Sequence, residues 1–313
     1  MDKSDSILVN TGCRSFYSPD SSFGFEVYPK YGAQLNKIVL KANSSSVSIL
    51  KSFASESDRI ADEYFTNILL FPFVNRLEDG IWRYNEQVFQ FPINEPSLSN
   101  SIHGFIYRQP FEIIENEITE KEVMAAFLIR YSANYDYYPF HFDMLIRYSI
   151  KKGREFILEA EIVNTGDTEL PFSFGWHPYF DFADSVEDMD IQFPADSFIE
   201  VDSRFLPIRY KQANECISQG TRIGNQTFDN CYKLIPGAVR NTSITNKESG
   251  LRLTIEQDHT FDHSQIFIPP GRKLIAVEPL TAGLFAVKTG DGLIKLAPQE
   301  TYNGAITVKL QTL

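Results

Sequence analysis

The strongest constraint on this chain is a strict two-residue alternation from position 140 to 150. Phe140, Phe142, Met144, Ile146, Tyr148 and Ile150 are apolar, whereas His141, Asp143, Arg147 and Ser149 fall between them. A period of two puts alternate side chains on opposite faces of an extended chain, so this is a strand with one buried and one wet face. Lys152-Gly153 then supplies a turn. Phe156, Leu158, Ala160 and Ile162 repeat the pattern on the way back, and Asn164-Thr165-Gly166-Asp167 ends it. A long antiparallel hairpin follows, since glycine and Asn/Asp side chains suit tight reversals.

Shorter copies occur at Ile81–Tyr84 and Val88–Phe91 around Asn85-Glu86, at Val123–Tyr131, Leu251–Ile255, Leu274–Val277 and Ile306–Leu310. Helical periodicity is scarce; Asp62–Leu70 is the one candidate, closed by Pro72. With 26 Phe, 15 Tyr and 2 Trp against 4 Met, the composition also favours pleated, half-buried surfaces. Flat aromatic faces lean mildly towards sugar binding as well. Without a linker or a solenoid repeat, the expectation is all-β: a large antiparallel β-sandwich in one domain, 1–313, whose loops carry the chemistry.

A formal charge of −12 repels phosphate backbones and anionic headgroups, which disfavours nucleic-acid or membrane-surface binding. No stretch approaches the roughly 20 apolar residues that span a bilayer. Cys13, Cys216 and Cys231 are odd in number and lack C-x-x-C spacing, so a disulfide framework and a structural zinc site are disfavoured. The N-terminal residues do not have the form of a secretory leader. These features suggest a reduced, cytoplasmic setting.

Nucleotide loops, G-x-S-x-G and H-E-x-x-H are missing. What remains is polar residues among aromatics. His177 lies in Phe-Gly-Trp-His-Pro-Tyr-Phe and His103 in Ser-Ile-His-Gly; either is a candidate proton donor or a hydrogen-bonded core histidine. Glu278 ends an apolar run before Pro279, where a carboxylate is costly unless paired or working. Arg76, after Asn75, can clamp hydroxyls or form an ion pair, and Asp229 and Gln265 stand between aromatics. His259 and His263, with Asp258 and Asp262, are four apart but between strands, so no metal is expected.

Taken in order, Asn75-Arg76-Leu77, Gly80, Ile102-His103-Gly104, Tyr138-Pro139, Asn164-Thr165-Gly166-Asp167, His177-Pro178-Tyr179-Phe180, Phe228-Asp229-Asn230 and Glu278-Pro279-Leu280-Thr281-Ala282 make the chain resemble the aldose 1-epimerase (galactose mutarotase) family along nearly its whole length. The resemblance implies a β-supersandwich and a cofactor-free interconversion of the α and β anomers of a free aldohexose. By the same match Glu278 takes the C1 hydroxyl proton and His177 protonates the ring oxygen. His103 and Arg76 hold the ring-oxygen side, Asp229 binds hydroxyls, and Asn75 and Gln265 support binding.

A carboxylate base and an imidazolium acid suffice for hemiacetal opening. The expectation is that Glu278 and Asp229 keep His177 charged, with His177 and Glu278 about 5 to 7 Å apart. Trp176, Tyr179 or Phe267 are candidates for the water-excluding wall. Departures from the family pattern at Gly283-Leu284-Phe285-Ala286, at Pro298-Gln299-Glu300 and before His177 leave the sugar open. The alternatives are a hexose-phosphate epimerase, using basic residues such as Arg59, Arg83 or Arg108, and a non-catalytic carbohydrate-binding protein. The partner is a small aldose sugar, and the chain is a monomer or homodimer.

Overall fold

A computed structural model describes residues 12–43 and 45–313. The expectation about a secretory leader lies outside them. The hairpin forms as the alternation requires: His141–Lys151 pairs antiparallel with Glu155–Asn164. Met144 faces Ile162, Tyr148 faces Leu158 and Ile150 faces Phe156, with all six side chains fully buried.

This hairpin lies within a nine-stranded antiparallel sheet ordered Glu112–Ile118, Glu122–Ser132, His141–Lys151, Glu155–Asn164, Thr301–Thr312, Leu251–Gln257, Asn241–Asn246, Met189–Gln192, Thr221–Arg222. An eight-stranded sheet contains Pro207–Gln212, Ala195–Val201, Asp229–Leu234, His263–Phe267, Ile275–Leu280, Gly175–Trp176 and Leu69–Leu70 in that order, with Tyr179–Phe180 pairing on Ile275–Leu280. A four-stranded sheet, Arg14–Tyr17, Gly24–Tyr28, Gln34–Ala42 and Ser45–Ser48, completes the main architecture. The fold is all-β and built from large antiparallel sheets packed together, as expected.

Aromatic rings join the layers. Phe156 of the large sheet lies 5.8 Å from Trp176 of the eight-stranded sheet and 6.5 Å from Phe25 of the four-stranded sheet. Burying each such ring contributes about 1.5–3 kcal/mol, so the apolar face selected by the alternation holds the sheets together.

Two expectations need correction. Asp62–Leu70 is not a helix: Phe65 and Asn67 adopt positive φ, 53° and 60°, which interrupts helical geometry, and Leu69–Leu70 is a strand. The helix nearby is Glu56–Ile60, one of three short α-helices among the described residues, capped where the Ser55 hydroxyl accepts the Asp58 N–H at 3.1 Å. Trp176 is no pocket wall; it is fully buried between Phe156 and Phe180.

Candidate active site

Three neighbouring strands form the floor of the site. Cys231 of Asp229–Leu234 pairs with Gln265 of His263–Phe267, and Gln265 pairs with Glu278 of Ile275–Leu280. Paired residues in adjacent strands share a face, so this register aligns Glu278 and Gln265, with Asp229 and Phe267 one step further along. Glu278 lies inside its strand rather than at its end, because Pro279 continues the pairing opposite Ser264. The Gln265 amide donates to Asp229 Oδ1 at 3.0 Å. Its own carbonyl oxygen is buried with no hydrogen-bond partner among the described residues.

Loops deliver the remaining groups. The His177 amide donates to Ile68 O at 3.0 Å, while the His177 carbonyl accepts from Asn67 N at 2.9 Å. Its ring stacks on Tyr179 with centroids 5.0 Å apart and meets His103 edge-on at 5.2 Å. His103 occupies a left-handed backbone position, φ 64°, anchored by its amide on Asn75 O at 2.9 Å. Gly104 follows at φ 68°, where a Cβ would lie 2.1 Å from Phe71 O, so the chain can approach that carbonyl only with glycine.

These segments enclose a pocket of about 290 Å³ lined by all seven sequence candidates: Asn75, Arg76, His103, His177, Asp229, Gln265 and Glu278. Tyr179 and Phe267 supply the aromatic walls, joined by Tyr64, Phe65 and Phe205. Glu63 and Glu95 also line it. Sequence reasoning missed Glu63, Tyr64, Phe65, Glu95 and Phe205. None of them belongs to a motif carrying the resemblance, and the only available signal was an acid or aromatic in a loop.

At the centre His177 Nε2 and Glu278 Oε1 are 3.3 Å apart, not 5 to 7 Å. Both residues are almost wholly buried, at 5% and 2% exposure, and buried polar groups pair with whatever complementary group is nearest. The expected charge state of His177 also needs correction. Burial pushes its pKa down to about 3. Burial, reinforced by Asp229 and opposed by Arg76, pushes Glu278 well above the usual carboxylate range. The desolvated pair therefore favours its neutral form, with one proton on Glu278 and an uncharged imidazole. His103 is likewise held uncharged, by burial first and then by His177 and Arg76.

Arg76 is less free than expected, because its Nε and Nη2 engage Glu95. The other arginines lie elsewhere. Arg59 stacks on Tyr31 at 3.6 Å and Arg108 covers Tyr107 at 5.0 Å, both lining a neighbouring cleft beyond Glu63, Phe65 and Glu95. Arg83 lines a separate groove beside Glu78 and Lys288. His263 is buried against Tyr210 and Asp291, at 3.1 and 3.5 Å. Among the described residues no group of three or more His, Cys, Asp or Glu is placed to hold a metal. Among them, too, no helix is long and apolar enough to cross a membrane.

Residues 26–309 match the family described as aldose 1-epimerase. The uncharacterized protein YihR of Escherichia coli K12 is 27% identical over 236 residues, covering 73% of each chain. Among solved structures, a galactose mutarotase-like protein from Clostridium acetobutylicum superposes with a TM-score of 0.84 at 20% identity, covering 96% of this chain and 95% of that one. Galactose 1-epimerase from Lactobacillus acidophilus NCFM gives 0.77 at 18% identity, covering 95% and 93%. At these identities the structural likeness is one of fold.

Proposed function

Because this chain belongs to the aldose 1-epimerase family, we propose that it is a mutarotase that interconverts the α and β anomers of a free aldohexose through the His177–Glu278 pair. The carrying observation is the 3.3 Å separation of Nε2 and Oε1. The two oxygens that exchange protons during ring opening, the C1 hydroxyl and the ring oxygen, are both bonded to C1. Acid and base must therefore stand side by side, which favours this close pair over a wider one.

The pair enters the reaction as an ion pair, reached from its neutral form when the one proton moves from Glu278 Oε1 to His177 Nε2 across their 3.3 Å contact. Glu278, as carboxylate, then takes the C1 hydroxyl proton while His177, as imidazolium, gives one to the ring oxygen. The C1–ring oxygen bond breaks and an open-chain aldehyde forms. The pair is then a neutral imidazole and a protonated carboxyl, the form that burial favours. Rotation about C1–C2 presents the other carbonyl face. Closure returns both protons, so the pair ends as it began. Arg76, His103 and Asn75 hold the sugar on one side, and Asp229 with Gln265 on the other. All seven groups come from a single chain, which we read as one domain.

Charge favours a neutral sugar. Among the pocket residues Glu63, Glu95, Asp229 and Glu278 are acidic and Arg76 is the sole arginine or lysine. Its charge is already matched by Glu95 at 2.8 Å. A phosphorylated hexose would face carboxylates with no uncommitted cation.

Polarimetry on freshly dissolved α-glucose and α-galactose tests the reading, at a pH where spontaneous mutarotation is slow. Wild type should accelerate the approach to equilibrium, and both Glu278→Gln and His177→Asn should abolish the acceleration. Acceleration confined to phosphorylated sugars would reject the free-aldose reading. Saturable sugar binding with no acceleration would identify a binding protein instead.

A further inference from the structure

Arg76 is held by two segments far from it in sequence. Its Nε donates to Glu95 Oε2 at 2.9 Å and its Nη2 to Glu95 Oε1 at 2.8 Å, a two-pronged ion pair whose side chains are each only 18% exposed. The Phe205 ring covers the guanidinium, with its centroid 4.5 Å from Cζ. Asn100 links the two supports, because its Nδ2 donates to Glu95 Oε2 at 3.1 Å and to Arg204 O at 3.0 Å.

Neither support is loose. Glu95 and Asn100 exchange backbone hydrogen bonds at 3.1 and 3.2 Å. Phe205 takes a left-handed conformation, φ 59°, in a turn where Asp202 Oδ1 accepts the amides of Arg204 and Leu206 at 2.7 and 3.0 Å. Arg204 fastens that turn by donating to Leu98 O at 2.9 Å and Asp79 Oδ1 at 2.7 Å.

With one edge of the guanidinium given to Glu95 and one face to Phe205, Nη1 remains. Among the described residues its one hydrogen bond is a long one, 3.4 Å, to Asn75 Oδ1. We infer that Glu95 is a positioning residue which, with Phe205 as a roof, orients Arg76 so that Nη1 is the donor presented to a sugar oxygen; the inference rests on the mutarotase reading above. A planar fork paired with a carboxylate holds both position and angle, which an unpaired guanidinium on a flexible stem cannot. Glu95 touches no reacting atom and acts through Arg76.

Glu95→Gln keeps the shape but sets an amide N–H against the Arg76 Nε–H. A displacement of about 1 Å at a substrate-holding group can cost up to 10²-fold, so kcat/KM for the best aldose should fall by about 10- to 10²-fold, mostly through KM. Glu95→Asp, which keeps the charge, should retain more activity. Phe205→Leu, in a surface turn and therefore independent of any folding defect at Glu95, should raise KM in the same sense.

Two readouts separate positioning from a merely structural role. In an Arg76→Met background, Glu95→Gln should add no more than about twofold, since a residue acting through another has nothing left to act on. The Arg76 Nε–H resonance should be shifted and protected from exchange in wild type, and averaged in Glu95→Gln. Full, additive losses in the Arg76→Met background, or an unaltered Arg76 resonance in Glu95→Gln, overturn the inference. If wild type accelerates no sugar, the mutarotase reading fails by itself; the resonance then decides whether Glu95 holds Arg76.

Discussion

His177 Nε2 meets Glu278 Oε1 at 3.3 Å across 101 positions of sequence, in a pocket where both side chains are nearly excluded from water. In the mutarotase reading the pair shares one proton, and its charged and neutral forms differ only in which partner carries it. Coupling of that kind governs how the two residues should behave when removed.

Each single variant, Glu278→Gln or His177→Asn, should lower kcat by about 10²- to 10⁴-fold, the usual contribution of a positioned acid or base. The double variant should be little worse than the weaker single one, because either loss disables the proton exchange. Polarimetric rates for the three variants check this. Multiplicative losses would show that the two residues act independently.

Stability should respond to pH through Glu278. Its pKa is raised in the folded state by burial and Asp229, against the pull of Arg76, while His177 faces it at 3.3 Å. A raised folded pKa means that its contribution to stability is fully present below the unfolded value near 4.5 and is lost as pH rises through the folded value. Glu278→Gln removes this titration. The variant should match wild type below that value and unfold at a higher temperature at neutral and alkaline pH. Thermal denaturation of both proteins across the range is the measurement; a gap independent of pH would contradict the assignment of a buried, raised carboxyl.

Gly104→Ala should damage both fold and site. The new Cβ would sit 2.1 Å from Phe71 O, at a φ of 68° that costs an L-residue roughly 1–2 kcal/mol before any clash. Relief requires moving the backbone that carries His103. A loss of more than about 2 kcal/mol in chemical denaturation, together with a raised KM, is expected. An alanine variant with wild-type stability would place the strain elsewhere.

Local patterning made the large sheet legible. The alternation from Phe142 to Ile162 selects strand, face and hairpin together, since a shift of one residue would turn every ring to solvent. The Asn164 turn was legible for a similar reason: its Oδ1 accepts Gly166 N at 3.0 Å, a contact two residues long. The helix was misplaced because the Ser55 cap is a weaker sequence signal than the apolar run after Asp62, and positive φ at Phe65 and Asn67 decides the matter there.

The site divides in the same way. The family resemblance, together with residue chemistry, singled out the seven polar candidates; a glutamate in an apolar run or a histidine among rings is conspicuous wherever it lies, but the chemistry alone left each of them open. Distance, charge and partners depended on strand register and loop packing. Gln265 stands beside Glu278 because two strands pair there, and Glu95 reaches Arg76 across 19 positions and Phe205 across 129 because unrelated loops converge. Alternation is written into neighbouring residues, so the sequence by itself determined the strands and their buried faces. The 3.3 Å contact of His177 with Glu278 and the hold on Arg76 arise from long-range burial, whose desolvation and contacts exist only once the sheets have closed, and so only the tertiary structure decided them.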